Sequence, residues 1–385
     1  MILVIRNLIF CFNDHLNLIF DWYVCKSIAT KILYERGMMS FNIYAYNGIS
    51  ANEVAFTSSL EPKNMRKISI YILLMVSVVM VSFQEKSVPF FVGTGDNSNQ
   101  ASISLFDLNL ATGQITFRKQ TPSAIAPGYL SLSPNKKYLY TVTGDQKVNA
   151  YQVDKNLELT YLNNQGSEGA NPCHISVHPS GKMVFVSNYS GGTFSVYGVA
   201  ENGALNSSIY KEQFLGKGPH KNRQEKAHAH YAAATPNGKF VYVIDLGTDR
   251  VLNYAVNVTT GELSKNKKQN YFSAKPGSGP RHFVMHPSGK QLFLLNELES
   301  TVTACTVDQD GVIKEVATYE SLPKDFTGNN TSAAIRMHPN GKFVYVSNRG
   351  HNSISAYKLV AGGKLEKVDE ISEHISIPRD FNIDP

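Results

Sequence analysis

The sequence predicts an all-β fold, and two features support this. Its short apolar segments are rich in β-branched and aromatic residues and lack the periodicity of a helix. A turn motif also recurs, in which a Pro, two small or polar residues and a Lys precede an aromatic strand. The five copies begin at Pro134, Pro179, Pro236, Pro287 and Pro339, at intervals of 45, 57, 51 and 52 residues. A repeat of about this length, with only strand signals between the turns, is typical of β-propeller blades.

Each repeat has room for four strands. An inner strand ends at the repeated Pro, a second strand such as residues 342–348 and a third such as residues 353–359 follow, and an outer strand comes after a Gly turn. Counted from residue 88, the first blade lacks an inner strand, and residues 378–385 are predicted to be the inner strand of a seventh blade. We therefore predict a seven-bladed β-propeller over residues 88–385, of which the sequence contains six blades and the first strand of a truncated seventh. Completing that blade would take roughly 40 more residues.

Residues 1–64 show no blade repeat, and they contain Trp22, the only Trp of the chain. At Met65 the pattern changes, because Met65-Arg-Lys is followed by an apolar run over residues 68–81 and then by Ser82. A basic start, a short apolar run and a small residue are typical of a secretory signal peptide, whereas a membrane span needs about 20 apolar residues. We interpret residues 65–86 as a signal-like segment, and residues 1–64 as a non-propeller extension that is spurious or translated from upstream.

The signal-like segment leads to two expectations for location. If residues 65–82 are used as a signal, the protein is periplasmic or secreted and keeps no stable membrane span; otherwise it is cytoplasmic. An anchor helix that is kept is the alternative interpretation, since a clean Ala-x-Ala cleavage site is missing. The processed chain would keep Cys173 and Cys305, which fall in different predicted blades, so we expect free thiols rather than a disulfide.

Composition and charge narrow the class of ligand. A chain of 385 residues with 42% hydrophobic residues can bury one large core. The formal net charge of +6 is modest and spread along the chain, which gives a nucleic-acid role little support. A local basic mouth for an anionic small molecule is compatible with this charge. The nucleophile motif Gly-x-Ser-x-Gly and the phosphate-binding loop motif are both absent from the sequence.

Propeller geometry predicts that scattered polar residues meet on one face. The loop that enters each inner strand and the loop between the second and third strands open on the same face, around the central channel. The long connection at residues 216–230 joins them, and loops of this length are often functional. The side chains collected there include Asn171, His174, Asn188, Tyr189, Arg223, His228, His230, Arg281, Glu297, Arg349 and Arg379.

These residue types are typical of a pocket for an anion. Arg offers a planar fork of donors to a carboxylate or phosphate and can stabilise an oxyanion, while a His or Glu can take a proton from water. Arg281 with Glu297 is the most promising pair, and a salt bridge that only closes the channel is the alternative. His228 and His230 have a spacing that can bind a metal ion, but without a convincing third ligand we predict no metal site.

Several motifs in register resemble those of one family. The HPSGK and HPNGK turns, NPCHISVHP, NRQEKAHAH, GPRHFVMHP with NELESTV, SNRGHNSIS and PRDF are similar to the seven-bladed lactonase family, which includes bacterial 6-phosphogluconolactonases and fungal carboxymuconate cyclases. The resemblance covers about residue 88 to the end. It implies that no metal or organic cofactor is needed, and that the catalytic residues are His174, Arg223, Arg281 and Glu297. The predicted substrate-binding residues are His228, His230, Asn188, Arg349 and Arg379.

The predicted function is hydrolysis of an anionic sugar lactone, similar to 6-phosphogluconolactone. The arginines would hold the anion and polarise the lactone carbonyl, and Glu297 or His174 would activate water. One alternative is a lactonising cycloisomerase that uses the same groups on a muconate-type acid. Another is a secreted propeller that binds a ligand without turnover, which would tolerate the loss of Glu297.

Overall fold

The structure, a computed structural model, describes residues 87–93, 101–123, 125–257 and 260–384, together with the backbone of six strands between residues 2 and 59. The chain divides into two compact units, Met1–Glu85 and Lys86–Pro385. The six strands of the first unit form a pair, β1 with β2, and an antiparallel sheet in the order β3-β4-β5-β6. They are β1 (Ile2–Ile5), β2 (Leu8–Cys11), β3 (Asn17–Ile19), β4 (Ile28–Glu35), β5 (Met38–Asn47) and β6 (Ser50–Ser59). The predicted signal-like segment, residues 65–86, lies outside the described residues.

The second unit contains six antiparallel sheets in chain order, which confirms the predicted propeller of four-stranded blades. Blade 1 comprises β7 (Ser87–Gly93), β8 (Ser102–Asn109) and β9 (Ile115–Pro122); blade 2 comprises β10 (Pro127–Leu132), β11 (Tyr138–Thr143), β12 (Lys147–Val153) and β13 (Leu159–Gly166). Blade 3 comprises β14 (Pro172–Val177), β15 (Met183–Asn188), β16 (Thr193–Val199) and β17 (Leu205–Gln213). Blade 1 has only three strands, as expected from the missing inner strand.

Blades 4 to 6 follow the same plan with one variation. Blade 4 comprises β18 (Ala229–Ala234), β19 (Phe240–Asp245), β20 (Arg250–Val256), β21 (Leu263–Lys265) and β22 (Tyr271–Ser273). Its outer edge is divided, because β21 and β22 both pair with β20. Blade 5 comprises β23 (Pro280–Met285), β24 (Gln291–Asn296), β25 (Thr301–Val307) and β26 (Ile313–Glu320); blade 6 comprises β27 (Thr331–Met337), β28 (Phe343–Arg349), β29 (Ser353–Val360) and β30 (Lys364–Ile371).

The described residues contain little helix. Short 3₁₀ helices occur at Leu246–Thr248 and Ala361–Gly363. Within the described residues, no helix has the length and apolar character needed to cross a membrane.

The structure differs from the sequence prediction at residues 378–384, which form no strand. A strand is stabilised by backbone hydrogen bonds to a neighbouring strand, and no described strand pairs with this segment. The segment nevertheless lies against blade 6. The Arg336 guanidinium is 2.6 Å from the Asp380 carboxylate, and the backbone N–H of Ile377 donates to Oδ1 of Asn352 at 3.0 Å. This position brings the side chains after Ile377 close to β27 and the channel.

The core lies between neighbouring blades. All six residues of β15 are buried, and β19 is buried at five of its six positions, because the two faces of each sheet are covered by the preceding and the following blade. Aromatic rings bridge the blades, for example Phe194 of blade 3 and Tyr254 of blade 4, whose centroids are 5.5 Å apart. Each large apolar side chain buried in this way contributes about 1.5–3 kcal/mol to folding.

A repeated tyrosine–glycine contact ties blade 2 to blade 3 and blade 4 to blade 5. The hydroxyl of Tyr140 in blade 2 donates to the carbonyl of Gly203 in blade 3 at 3.0 Å, and Tyr242 in blade 4 donates to Gly311 in blade 5 at the same distance. Both glycines have positive φ values, 85° and 73°. A Cβ at Gly203 would lie 2.1 Å from the ring of Tyr138, so no larger residue fits this turn.

Candidate active site

β-bulges in the inner strands direct side chains into the central channel. The pairing of β14, β18 and β23 with the second strand of each blade skips one residue near the start, namely Cys173, His230 and Arg281. A bulge leaves that residue outside the ladder and changes the direction of its side chain. All three skipped residues line one cavity of about 230 Å³.

This cavity brings together residues from blades 3 to 6, the loop before blade 4 and the segment after blade 6. The residues that line it are Asn171, Cys173, Tyr189, Arg223, His230, Arg281, Glu297, Arg349 and Arg379. Six of them were predicted as site residues from the sequence: Arg223, His230, Arg281, Glu297, Arg349 and Arg379. The structure therefore places most of the predicted site in a single pocket.

Glu297, directly after β24, stands at the centre of the charged groups. Its side chain is only 4% exposed and contacts three guanidinium groups. Oε1 accepts a hydrogen bond from Nη2 of Arg223 at 2.7 Å and lies 3.1 Å from Nη2 of Arg349. Oε2 lies 3.0 Å from Nε of Arg281, close enough for an ion pair but without the alignment of a hydrogen bond. Both carboxylate oxygens are therefore occupied by arginines.

Burial and charge act in opposite directions on this cluster. Burial favours the neutral acid, but Arg281, Arg223 and Arg349 outweigh it and hold the pKa of Glu297 below its usual value. Burial lowers the pKa of Arg281 to about 10, against the attraction of Glu297. Glu297 and Arg281 are consequently both ionised at neutral pH.

The cavity has an excess of positive charge. Four arginines and one glutamate line it, which leaves three uncompensated positive charges at neutral pH. Arg379 is exposed and has no ion-pair or hydrogen-bond partner among the residues that the structure describes. An anion that enters the cavity would meet this uncommitted guanidinium, whose fork of donors suits a phosphate or a carboxylate.

Three histidine rings cluster beside Arg281. The ring centroid of His282 lies 5.2 Å from that of His230 and 6.0 Å from that of His174. Burial, together with nearby arginines, lowers the pKa of each well below the usual value of 6.5, so all three are neutral at pH 7. Only His230 lines the cavity, and its Nδ1 has no hydrogen-bond partner among the described residues.

These buried histidines predict a pH dependence of stability. Because each folded-state pKa lies below the unfolded value of about 6.5, the unfolded chain binds more protons, and stability falls as the pH drops below 6.5. The slope can reach about 1.4 kcal/mol per pH unit for each histidine. Denaturant titrations at pH 7.5, 6.5 and 5.5 measure it. His282→Gln should reduce the slope between pH 6.5 and 5.5, whereas His374→Gln, at a side chain that is 91% exposed, should not. Equal slopes in all three proteins would contradict this account.

Three predicted site residues lie outside the cavity lining. His174 follows the bulged residue and is buried between Tyr129 and Tyr231, with ring centroids 4.5 and 3.9 Å away. Its Nδ1 accepts a hydrogen bond from the backbone N–H of Ala232 at 3.3 Å. The shift of register at the bulge thus places Cys173, and not His174, in the lining.

Asn188 and His228 are buried and do not line the cavity. Asn188 is fully buried and donates to the Ser167 carbonyl at 2.8 Å and to Oγ1 of Thr193 at 2.9 Å. Asn296 makes the same contact with the third strand of its own blade, which indicates a structural role for this position. His228 stacks on Tyr189, with centroids 4.4 Å apart, and so supports a ring that lines the cavity.

Three lining residues were not selected from the sequence. Asn171 and Tyr189 lie in loops that propeller topology places on this face, but no feature of the sequence distinguishes them from Asn188, which does not line the cavity. The sequence predicts only a free thiol at Cys173, and its place in the lining follows from the bulge. Burial raises the pKa of the Cys173 thiol to about 12, so it is not a nucleophile at neutral pH.

No metal site was predicted, and the described residues contain no group of three or more His, Cys, Asp or Glu side chains that could hold a metal ion. Of the pair His228 and His230, only His230 lines the cavity. The polar groups that line the cavity are four guanidinium groups, one carboxylate, one neutral imidazole, and the side chains of Asn171, Tyr189 and Cys173.

Known proteins resemble this chain in sequence and in structure. The family described as "Lactonase, 7-bladed beta-propeller" matches residues 89–385. The chain is 36% identical over 301 residues to a 6-phosphogluconolactonase of Bacillus subtilis (strain 168), covering 77% of this chain and 84% of the relative. It is 35% identical over 305 residues to a protein of the same name from Formosa agariphila, covering 77% and 86%.

Among solved structures, a 6-phosphogluconolactonase candidate from Bacteroides fragilis NCTC 9343 aligns with a TM-score of 0.72 and 32% identity, over 79% of this chain and 86% of that chain. The family description gives seven blades, one more than the six sheets found among residues 87–384 of this structure.

Proposed function

The chain belongs to the lactonase family of seven-bladed β-propellers, and from this premise we propose that it hydrolyses an anionic sugar lactone such as 6-phosphogluconolactone. The names of the relatives identify them as lactone hydrolases, a class of carboxylic-ester hydrolase. The cycloisomerase and the non-catalytic binding propeller are not favoured by these names.

The observation that carries the proposal is the excess of arginine around one buried carboxylate. Glu297 compensates one of four positive charges and holds Arg223, Arg281 and Arg349 in a fixed arrangement. Arg281, which is 3% exposed, is a preorganised donor suited to charge that develops on a carbonyl oxygen, because no reorganisation is needed during the reaction. The remaining charge suits a phosphate group on the same substrate.

His230 is the best candidate for the base that activates water. The oxygens of Glu297 are both occupied by arginines, so neither is free to accept a proton from water. His174 is a neutral imidazole but lies outside the lining. His230 is a neutral imidazole that lines the cavity, as Arg281 does.

The proposed reaction proceeds through water. The oxygen of a water molecule attacks the lactone carbonyl carbon while His230 accepts one of its protons, and Arg281 stabilises the oxyanion. The tetrahedral intermediate then releases the ring oxygen, which takes the proton from the imidazolium as the ring C–O bond breaks. The product is an open-chain hydroxy acid, whose carboxyl proton passes to solvent at neutral pH.

Arg379 is predicted to distinguish phosphorylated from unphosphorylated lactones. Because it has no partner among the described residues, it is free to bind the phosphate, and such a charged hydrogen bond is worth about 1.5–3 kcal/mol. Arg379→Gln should lower kcat/KM for 6-phosphogluconolactone about 10- to 100-fold, and change kcat/KM for gluconolactone less than about threefold.

A matched variant controls for the loss of an arginine. Arg250→Gln removes a guanidinium that stacks on Tyr271, 4.6 Å from the ring centroid, on the outer part of blade 4. It should leave the ratio of the two substrates unchanged. An equal loss on both substrates in Arg379→Gln would show that this arginine does not bind the phosphate.

A further inference from the structure

The loop before blade 4 is fixed by one buried side chain, that of Gln224. Its Nε2 donates to the Leu246 carbonyl at 2.9 Å and to Oδ1 of Asp249 at 2.7 Å, while its Oε1 accepts from the backbone N–H of His220 at 3.0 Å. Gln224 is fully buried, although the neighbouring side chain, that of Arg223, is 33% exposed. The loop is therefore anchored to blade 4 at the residue next to the arginine that contacts Glu297.

Asp249 joins this loop to the start of blade 5. Its carboxylate accepts hydrogen bonds from the backbone N–H groups of Gly277 at 2.7 Å and Gly279 at 2.8 Å, in addition to the bond from Gln224. The side chain is 5% exposed. Two charge-assisted bonds thus fix the loop that leads into β23, and a third fixes the loop that carries Arg223.

Gly279 connects Asp249 to the charged residues Glu297 and Arg281. Its carbonyl accepts the backbone N–H of Glu297 at 2.7 Å, and Arg281 lies two residues further along the chain. Its φ is +59°, and a Cβ at this position would lie 2.4 Å from the side chain of Leu298. No side chain fits here without displacing Leu298, so the path from Asp249 to Glu297 is short and rigid.

The turn alone does not require an aspartate. Asp249 has a left-handed backbone, with φ of +55°, and the corresponding turns of blades 3 and 5 place Gly192 and Ser300 in the same region, at +61° and +56°. A carboxylate is therefore not needed for this conformation. What the carboxylate adds in blade 4 is the bond to the loop that carries Arg223.

We propose that Gln224 and Asp249 form a positioning pair that sets Arg223 against Glu297 and Arg281. This inference rests on the proposed lactonase function, because it assigns the pair to the same site. Neither residue lines the cavity, so the pair acts through Arg223 and not by touching the substrate. Its loss should weaken the binding of an anionic substrate more than it slows turnover.

A double-mutant cycle tests the proposal with the full chain. Gln224→Met keeps the side-chain length but removes both polar groups, and it should raise KM for 6-phosphogluconolactone about 10-fold or more with a smaller change in kcat. Arg223→Met should have an effect of similar or larger size. In the Arg223→Met background, Gln224→Met should change KM less than twofold, because the residue through which it acts is gone.

A merely structural role of Gln224 predicts a different result in the double-mutant cycle. If Gln224→Met raises KM by the same factor with and without Arg223, the proposal is overturned. Asp249→Asn, which keeps a residue that tolerates the left-handed backbone, provides a second variant if Gln224→Met does not fold. Its effect should also disappear in the Arg223→Met background.

Calorimetric binding of 6-phosphogluconate separates this proposal from the proposed function. If the wild-type protein binds 6-phosphogluconate, the expected product, but does not hydrolyse the lactone, the lactonase proposal fails while the same cycle still tests the pair through Kd. If Gln224→Met leaves Kd unchanged in a protein that binds 6-phosphogluconate through Arg223, the positioning proposal fails alone.

Discussion

Replacing Arg281 with methionine is expected to reduce kcat/KM for the lactone about 100- to 1,000-fold, the cost of removing one preorganised donor from an oxyanion site. Arg281 is 3% exposed, and its guanidinium is held on two sides, by the carboxylate of Glu297 and by the backbone carbonyl of Ala333. Methionine preserves the volume and adds no buried charge.

Folding of this variant can be judged separately. Glu297 keeps Arg223 and Arg349 as counter-ions, so it is not left as an unpaired buried charge. Arg118→Met, which removes an exposed arginine paired with Asp107 on blade 1, is the matched control and should retain full activity. Thermal unfolding of both proteins shows whether the loss of activity reflects a loss of structure. A folded Arg281→Met protein with activity within about threefold of the wild type would exclude Arg281 from the reaction.

Replacing His230 with glutamine is expected to reduce kcat about 100- to 10,000-fold, the usual contribution of a general base. The comparison with His174→Gln is informative, because the two rings share a low pKa and the same degree of burial but differ in access to the cavity. We expect His174→Gln to reduce kcat less than about 10-fold, since that ring does not reach the substrate.

The variant that loses more kcat identifies which of the two histidines, His230 or His174, is the base. A larger loss of kcat in a folded His174→Gln protein would support the assignment made from the sequence and exclude His230 as the base. Near-UV circular dichroism of both variants checks that the aromatic packing around Tyr231 is preserved, because His174 lies 3.9 Å from that ring.

The repeat at the Pro-x-x-Lys turns was sufficient to predict the propeller. Its spacing and the absence of helical periodicity identified the blades, since each blade must bury both faces with the same short strands. The divided outer edge of blade 4 could not be predicted, because β21 and β22 depend on which segment reaches β20 in space. The segment after Ile377 contains a strand-like pattern, but a pattern alone cannot supply a hydrogen-bonded neighbour.

The candidate site was predictable where charge and position coincide. Arg281, Glu297 and Arg349 stand in loops that propeller topology brings to one face, and the structure shows all three in contact. The β-bulges were not predictable, because a strand with an extra residue has no distinct sequence pattern. Their one-residue shift places Cys173, instead of His174, in the lining.

The role of Asn188 could not be predicted from the sequence either. An asparagine at the channel face is compatible with a ligand contact, but the structure shows its amide bonded to Ser167 and Thr193 within the core of blade 3. Such assignments depend on the direction in which a buried side chain points, and that direction is set by tertiary packing.

Hydrolysis of 6-phosphogluconolactone in a pH-stat is the most direct test of the central claim, because each turnover releases one proton. The full chain should give a rate that exceeds spontaneous hydrolysis, increases in proportion to protein concentration and saturates with substrate. The Arg281→Met protein should bring the rate close to that of buffer. A wild-type protein that is folded by circular dichroism and yet hydrolyses neither this lactone nor gluconolactone faster than buffer would contradict the account.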